Sequence, residues 1–200
     1  MESIQAKLDP NTDNGLFIIA VDPWSLMGDE NDPENEKLFP DWELPLAVVN
    51  VNSSKPNISY LINWYPYPIY EILLRRWRPA NEILHSNGWL EVRLPMEESD
   101  KQGRLVEKLR QFTDLKEKNK FSNLRFRYLS ETVQFLKRHG RVFLVRIPSH
   151  PIILKLEEEM IPDFNYLMAK LHIYENVNYL DLSVNAKDYD YTDGIHLHQS

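Results

Sequence analysis

A regular alternation between short apolar runs and longer stretches of helical periodicity, from residue 121 to residue 184, constrains the fold most. The stretches 121–140 and 154–176 place apolar residues mainly three or four positions apart, as helices do. The runs with the length and β-branched content of strands are 16–21, 142–147 and 177–182. Strands linked by crossovers of ~30 residues pair in parallel, because antiparallel neighbours need only a short turn. We therefore predict an α/β fold, a three-layer α/β/α sandwich on a parallel sheet.

The segment 28–120 interrupts this alternation and is rich in Asp, Glu, Asn and Pro over its first thirty or so positions. Because long segments without strand periodicity usually leave the sheet, we predict an insertion that packs at the carboxyl edge of the strands. A chain of 200 residues with 42% apolar and 12% aromatic residues is long enough for one sizeable core. We expect residues 1–200 to form a single domain.

The composition excludes several kinds of site and partner. The absence of cysteine removes disulfides, zinc–thiolate sites, iron–sulfur clusters and a cysteine nucleophile. The longest apolar run, Leu16 to Val21, is far shorter than the ~20 residues that cross a bilayer, so no transmembrane segment is expected. The compartment stays open, and a longer parent protein anchored outside the cytoplasm is compatible with the sequence.

The charge is distributed unevenly. The net charge of −7 argues against a general nucleic-acid binder. Residues 101–146 nevertheless hold 13 Lys and Arg against four acids, a balance of +9. This segment has two interpretations: solvated helix faces, or a surface for an anionic polymer or lipid headgroup.

Polar side chains capable of catalysis follow each predicted strand, and the carboxyl ends of parallel strands meet at one edge of a sheet. These candidates are Asp22 and Ser25, Ser149 and His150, and Asp193 and His196. The last pair is separated only by Gly194 and Ile195, so a tight loop can fold the carboxylate back onto the imidazole. Such a contact fixes the tautomer of the histidine and stabilises its protonated form, as in the base half of an acyl-transfer triad.

Other interpretations of these residues remain open. A zinc or manganese site could draw ligands from Asp22, His150, Asp193, His196 and His198. No helical pair of histidines supports that site, so we expect no metal and no cofactor. Ser25 or Ser149 could act as an internal nucleophile. The aromatic segment 60–70 could stack on a glycan, or could pack the insertion onto the body.

Four segments carry a resemblance to a known family. They are TDGIHL at 192–197, FLVRIPSHP at 143–151, EEEMIPDFNYL at 157–167 and FIIAVDPWSL at 17–26. The first resembles the terminal catalytic block of the SGNH (GDSL-type) hydrolases. The others are similar to DltD-like bacterial members linked to acyl modification of cell-surface polymers. The resemblance implies a flavodoxin-like, SGNH-type parallel sheet and an esterase or O-acyltransferase acting on acyl esters. It also implies that Asp193 is the orienting carboxylate and His196 the general base.

The sequence also departs from the family. No G-D-S-like motif is present, the Gly and Asn oxyanion blocks are not identifiable, and the sequence stops four residues after His196. We therefore expect a fragment without the nucleophile strand and the last helix, with negligible esterase turnover in residues 1–200. The alternative is a non-catalytic module of the hydrolase fold that binds an anionic polymer or a protein partner.

Overall fold

The computed structural model describes residues 4–5, 8–36, 82–84 and 90–198. Its strands are β1 (Gly15–Ala20), β2 (Met27–Asp29), β3 (Glu82–Leu84), β4 (Leu90–Val92), β5 (Asn119–Phe121), β6 (Gly140–Arg146) and β7 (Asn178–Asp181). Its helices are α1 (Glu98–Lys118), α2 (Asn123–Lys137), α3 (Pro151–Met160) and α4 (Phe164–Glu175). Short 3₁₀ segments lie at Trp24–Leu26 and Ser183–Asp188.

The central element is a parallel sheet of three strands in the order β1-β6-β7. These strands lie within two residues of the predicted bounds, and the break near Pro162 separates α3 from α4. The predicted α/β class and the parallel pairing are therefore confirmed. Two three-residue pairs, β2–β5 and β3–β4, are antiparallel and separate from this sheet.

Glycine permits the close approach of β1 and β6. Gly140 has a φ of 153° and pairs with Gly15. A Cβ atom on Gly140 would lie 2.0 Å from the carbonyl oxygen of Gly15, far inside van der Waals contact. The Gly15 amide also donates to the His139 carbonyl at 2.8 Å, so the two strands begin side by side.

The hydrophobic core lies on one face of this sheet. Helices α2 and α4 cover that face and contribute, with the strands, the buried residues Val133, Leu136, Val142, Leu144, Met168 and Leu171. Strands added in one direction through right-handed crossovers place their connecting helices on the same face, which explains this arrangement.

The opposite face of the sheet is open within the described ranges. Leu16 and Ile18 point away from the core and are 60% and 68% exposed, and Leu180 of the far strand is 47% exposed. The described residues thus form two layers, with helices on one side of the sheet. The third layer of the predicted sandwich is not among them.

The two ends of the segment 28–120, which the sequence predicts to be an insertion, lie side by side. Strand β2 pairs with β5, so that Met27 lies opposite Phe121 and Asp29 opposite Asn119. Helix α1 lies between these strands in sequence and packs on α3 through Leu105, Phe112 and Ile153. The aromatic segment 60–70 lies outside the described residues.

Every helix among the described residues is too short or too polar to cross a membrane.

Candidate functional site

The loop that follows β7 brings Asp193 and His196 into direct contact. Asp193 Oδ2 lies 2.9 Å from Nδ1 of His196. The carboxylate can only accept, so Nδ1 carries the proton and Nε2 is left as the basic nitrogen. The Asp193 side chain is 15% exposed, whereas that of His196 is 70% exposed. The pair therefore presents an oriented base to solvent.

The backbone of this loop fixes the carboxylate. Asp193 Oδ1 accepts hydrogen bonds from the amides of Ile195 at 3.1 Å and His196 at 3.0 Å. Burial by itself raises the pKa of Asp193, but these two amides and the imidazole outweigh burial and hold that pKa below its usual value. Asp193 is therefore an anion at neutral pH. Gly194, with a φ of 102°, provides the left-handed conformation that lets the chain turn back.

Two helices hold the loop in place. The amide of His150, at the start of α3, donates to the Gly194 carbonyl at 2.7 Å. A Cβ atom on Gly194 would lie 2.7 Å from Leu105 Cδ1 and 3.3 Å from Ile153 Cγ1, so the loop is packed tightly against α1 and α3. The contact of α1 with this loop was not predicted, because the segment that forms α1 was interpreted as part of the insertion 28–120.

The residues after β6 lie beside this loop but have other roles. His150 caps α3, accepting from the Ile152 amide at 3.4 Å, and its ring meets the edge of Tyr191. Burial lowers the pKa of His150. Ser149 is buried, and among the described residues its Oγ has no hydrogen-bond partner of ordinary geometry. Neither side chain contacts the His196 imidazole.

The residues after β1 form a self-contained turn. Asp22 Oδ1 accepts from the Ser25 amide at 3.0 Å, and Ser25 Oγ donates to the Asp22 carbonyl at 2.8 Å. Burial raises the pKa of Asp22 to about 6, although Ser25 and the charge of Arg146 act in the opposite direction. Neither Asp22 nor Ser25 is hydrogen-bonded to Asp193 or His196; their side-chain hydrogen bonds are to each other.

A buried ion pair at the same edge was missed by sequence analysis. Arg146, the last residue of β6, donates to Glu157 of α3 across 3.3 Å, and both side chains are 4% exposed. Burial raises the pKa of Glu157 to about 7, with Arg146 lowering it and the charge of Asp22 raising it further. Arg146 and Glu157 are buried and Asp22 is half-buried, and the three form one charged cluster. Ser149 is close enough to Glu157 to lower its pKa.

A cavity of about 330 Å³ lies at the end of α3 away from His150. Its lining residues are Arg146, Glu158, Ile161, Pro162, Phe164 and Asn165. The Arg146 guanidinium lies over the Phe164 ring, 5.1 Å from its centroid. A ten-residue helix is ~15 Å long, so the cavity is separate from the Asp193–His196 pair.

Many bases of the 101–146 segment are engaged by acids. The ion pairs are Lys101–Glu98, Arg110–Glu107, Lys116–Glu159, Arg127–Glu131, Lys108–Asp193 and Arg146–Glu157. These pairs engage six of the 13 bases, and four of the acids lie outside the 101–146 segment. The local balance of positive charge is therefore smaller than the sequence segment alone indicates.

The described residues contain no group of three or more His, Asp or Glu side chains placed to hold a metal ion. The alternative metal site considered from the sequence is not assembled there.

No family model, curated protein or solved structure matches the chain in comparisons with known proteins.

Proposed function

We propose that this chain is an SGNH-type domain for acyl-ester chemistry, an esterase or O-acyltransferase in which Asp193 and His196 supply the general base. The observation that carries the proposal is the 2.9 Å contact between Asp193 Oδ2 and His196 Nδ1 on the loop after a parallel strand. The 70% exposure of the imidazole supports it, because a base must reach its substrate.

The chemistry follows from the tautomer of His196. Nε2 takes the proton of a hydroxyl nucleophile as its oxygen attacks the ester carbonyl, and Asp193 stabilises the imidazolium that forms. The imidazolium then returns this proton to the departing alkoxide, which leaves an acyl-enzyme. Nε2 next deprotonates water, giving hydrolysis, or an acceptor hydroxyl, giving transfer. The substrate class is an acyl ester, such as that of a bacterial surface polysaccharide or wall polymer.

We assign the nucleophile to neither Ser25 nor Ser149. The Ser25 hydroxyl donates its hydrogen bond to the Asp22 carbonyl within the same turn, and Ser149 is buried. A general base activates a hydroxyl through a hydrogen bond to it. Neither serine is hydrogen-bonded to His196.

The proposal includes the finer architecture of the family: a single domain over 1–200, a three-layer sandwich and an insertion over 28–120. The pairing of β2 with β5 supports the insertion, since it brings the two ends of that segment together. The exposed Leu16 and Ile18 support a third layer, because apolar side chains on a sheet face are normally covered.

The test compares three proteins expressed at the full length of the natural reading frame: wild type, His196→Ala and His198→Ala. His198 is the matched control, an exposed histidine two residues away with no side-chain contact among the described residues. Turnover is measured with a chromogenic acetyl ester and with an O-acetylated polysaccharide. We expect His196→Ala to lose about 10³-fold or more in kcat and His198→Ala to stay near wild type.

Asp193→Asn refines the same test. The carboxylate orients and stabilises without reacting, so its loss costs as much as that of His196 or less. Equal rates for wild type and His196→Ala would contradict the proposal. Absence of ester turnover in the wild type would favour the non-catalytic binding module.

A further inference from the structure

Lys108 of α1 contacts the Asp193 carboxylate. Its Nζ lies 3.6 Å from Asp193 Oδ2, the same oxygen that accepts from His196 Nδ1. The side chains of Lys108 and Asp193 are only 20% and 15% exposed. An ion pair shielded to this degree is screened less by solvent and salt than a fully exposed one.

Neighbouring residues of α1 hold the rest of the loop. Arg104 Nε donates to the Thr192 carbonyl at 2.7 Å, and Leu105 packs against Gly194. Positions 104, 105 and 108 lie on one face of a helix, so α1 contacts three consecutive loop residues from one side. Helix α1 lies outside the segments that resemble the SGNH family, so that resemblance does not imply these contacts.

We infer that Lys108 is a positioning residue for the base, an inference that rests on the proposed function. Both oxygens of Asp193 have fixed partners: two backbone amides at Oδ1, and the imidazole and the ammonium at Oδ2. The ammonium holds Oδ2 on the side of the loop where His196 lies and opposes rotation of the carboxylate toward water. Lys108 thereby stabilises the His196 tautomer that carries its proton on Nδ1.

The first test does not depend on activity. Long-range ¹H–¹⁵N correlation spectra of the imidazole report the tautomer of His196, assigned by comparison with His196→Ala. The variants are Lys108→Met, which removes the charge but keeps much of the side-chain volume, and Lys108→Arg, which keeps the charge. Lys118→Met is the control, an exposed lysine of the same helix without a side-chain contact among the described residues. Thermal unfolding confirms that each variant is folded.

We expect the neutral imidazole to be mainly the Nδ1–H tautomer in the wild type, in Lys108→Arg and in Lys118→Met. In Lys108→Met the fraction of the Nδ1–H tautomer should fall toward the value measured in Asp193→Ala, a reference variant in which His196 has no carboxylate partner. A tautomer distribution in Lys108→Met identical to that of the wild type would overturn the inference.

Kinetics provides the second test and separates the two proposals. With an ester substrate, Lys108→Met should lower kcat about 10-fold at unchanged KM, since it displaces the base without touching the bound ester, and Lys108→Arg should restore it. If the wild type hydrolyses no ester, the proposed function fails, while the tautomer still decides the role of Lys108. If Lys108→Met retains full kcat in an active protein, the inference fails and the proposed function stands.

Discussion

Arg146 and Glu157 meet at 3.3 Å in the interior of the protein, where the central strand ends beneath α3. Both side chains are 4% exposed, and the half-buried carboxyl of Asp22 lies close enough to raise the pKa of Glu157. The charges of Arg146 and Asp22 therefore act on the pKa of Glu157 in opposite directions. This cluster makes stability depend on pH.

The first prediction concerns that dependence. The pKa values of Asp22 and Glu157 are raised from 3.8 and 4.5 to about 6 and about 7. Between pH 4 and 7 the folded state therefore holds more protons than the unfolded state, and its stability falls as the pH rises. The loss is on the order of 3 kcal/mol per carboxyl. Thermal unfolding should give a midpoint several degrees higher at pH 5 than at pH 8.

The matched variant is the double substitution Asp22→Asn with Glu157→Gln, which keeps the acceptor oxygens but cannot ionise. It should flatten most of the fall in stability between pH 5 and 8. His150 contributes a slope of the opposite sign, because burial lowers its pKa, so the difference between the two proteins is the quantity to measure. If stability falls as steeply with pH in the variant as in the wild type, Asp22 and Glu157 do not cause the fall.

The second prediction concerns the energetic coupling between Arg146 and Glu157. Glu157→Leu leaves the Arg146 guanidinium buried without its partner and should lower the free energy of unfolding by about 3–5 kcal/mol. Arg146→Met combined with Glu157→Leu should recover a large part of this loss, because the double variant removes both charges of the buried pair. Denaturant unfolding of the two single variants and the double variant measures this coupling. If the losses in free energy of unfolding of the two single variants add up to that of the double variant, the residues are not coupled and the prediction is wrong.

The third prediction uses two glycines that differ in their surroundings. Gly194→Ala should displace the loop, because its φ is positive and the new Cβ would lie 2.7 Å from Leu105. The contact between Asp193 and His196 should weaken, and the fraction of the Nδ1–H tautomer of His196 should fall. Gly103 is the control: it lies inside α1 with nothing within 4 Å of an added Cβ. Gly103→Ala should stabilise the protein by about 0.5–1 kcal/mol and leave the tautomer unchanged.

Much of the local structure could be predicted from the sequence, because periodicity is a local property. The strands near 16–21 and 142–147 and the break near Pro162 depend on residues within a few positions of each other. The position of a third layer depends instead on the order of the strands in the sheet. That order is set by contacts between distant segments, which the apolar pattern does not contain.

The difference between local pattern and distant contact also explains why the Arg146–Glu157 pair and the Lys108–Asp193 contact were not predicted. Arg146 follows Val142 and Leu144 at the inward-facing positions of its strand, and Glu157 lies four residues after the buried Ile153 on α3. Both periodicities were available as signals of a buried charge. The contact of Lys108 with Asp193 had no such signal, because it joins residues 85 positions apart on elements that only the fold brings together.

The most direct test of the central claim is rescue of His196→Ala by added imidazole. We expect the variant to lose ester turnover and imidazole to restore part of it, in proportion to the concentration of the neutral base. The His196 side chain is 70% exposed, so its removal leaves an open position beside the Asp193 carboxylate that imidazole can occupy. The same imidazole should not increase the turnover of His198→Ala beyond that of the wild type. If His196→Ala loses no turnover, or if imidazole accelerates all three proteins equally, His196 is not the base.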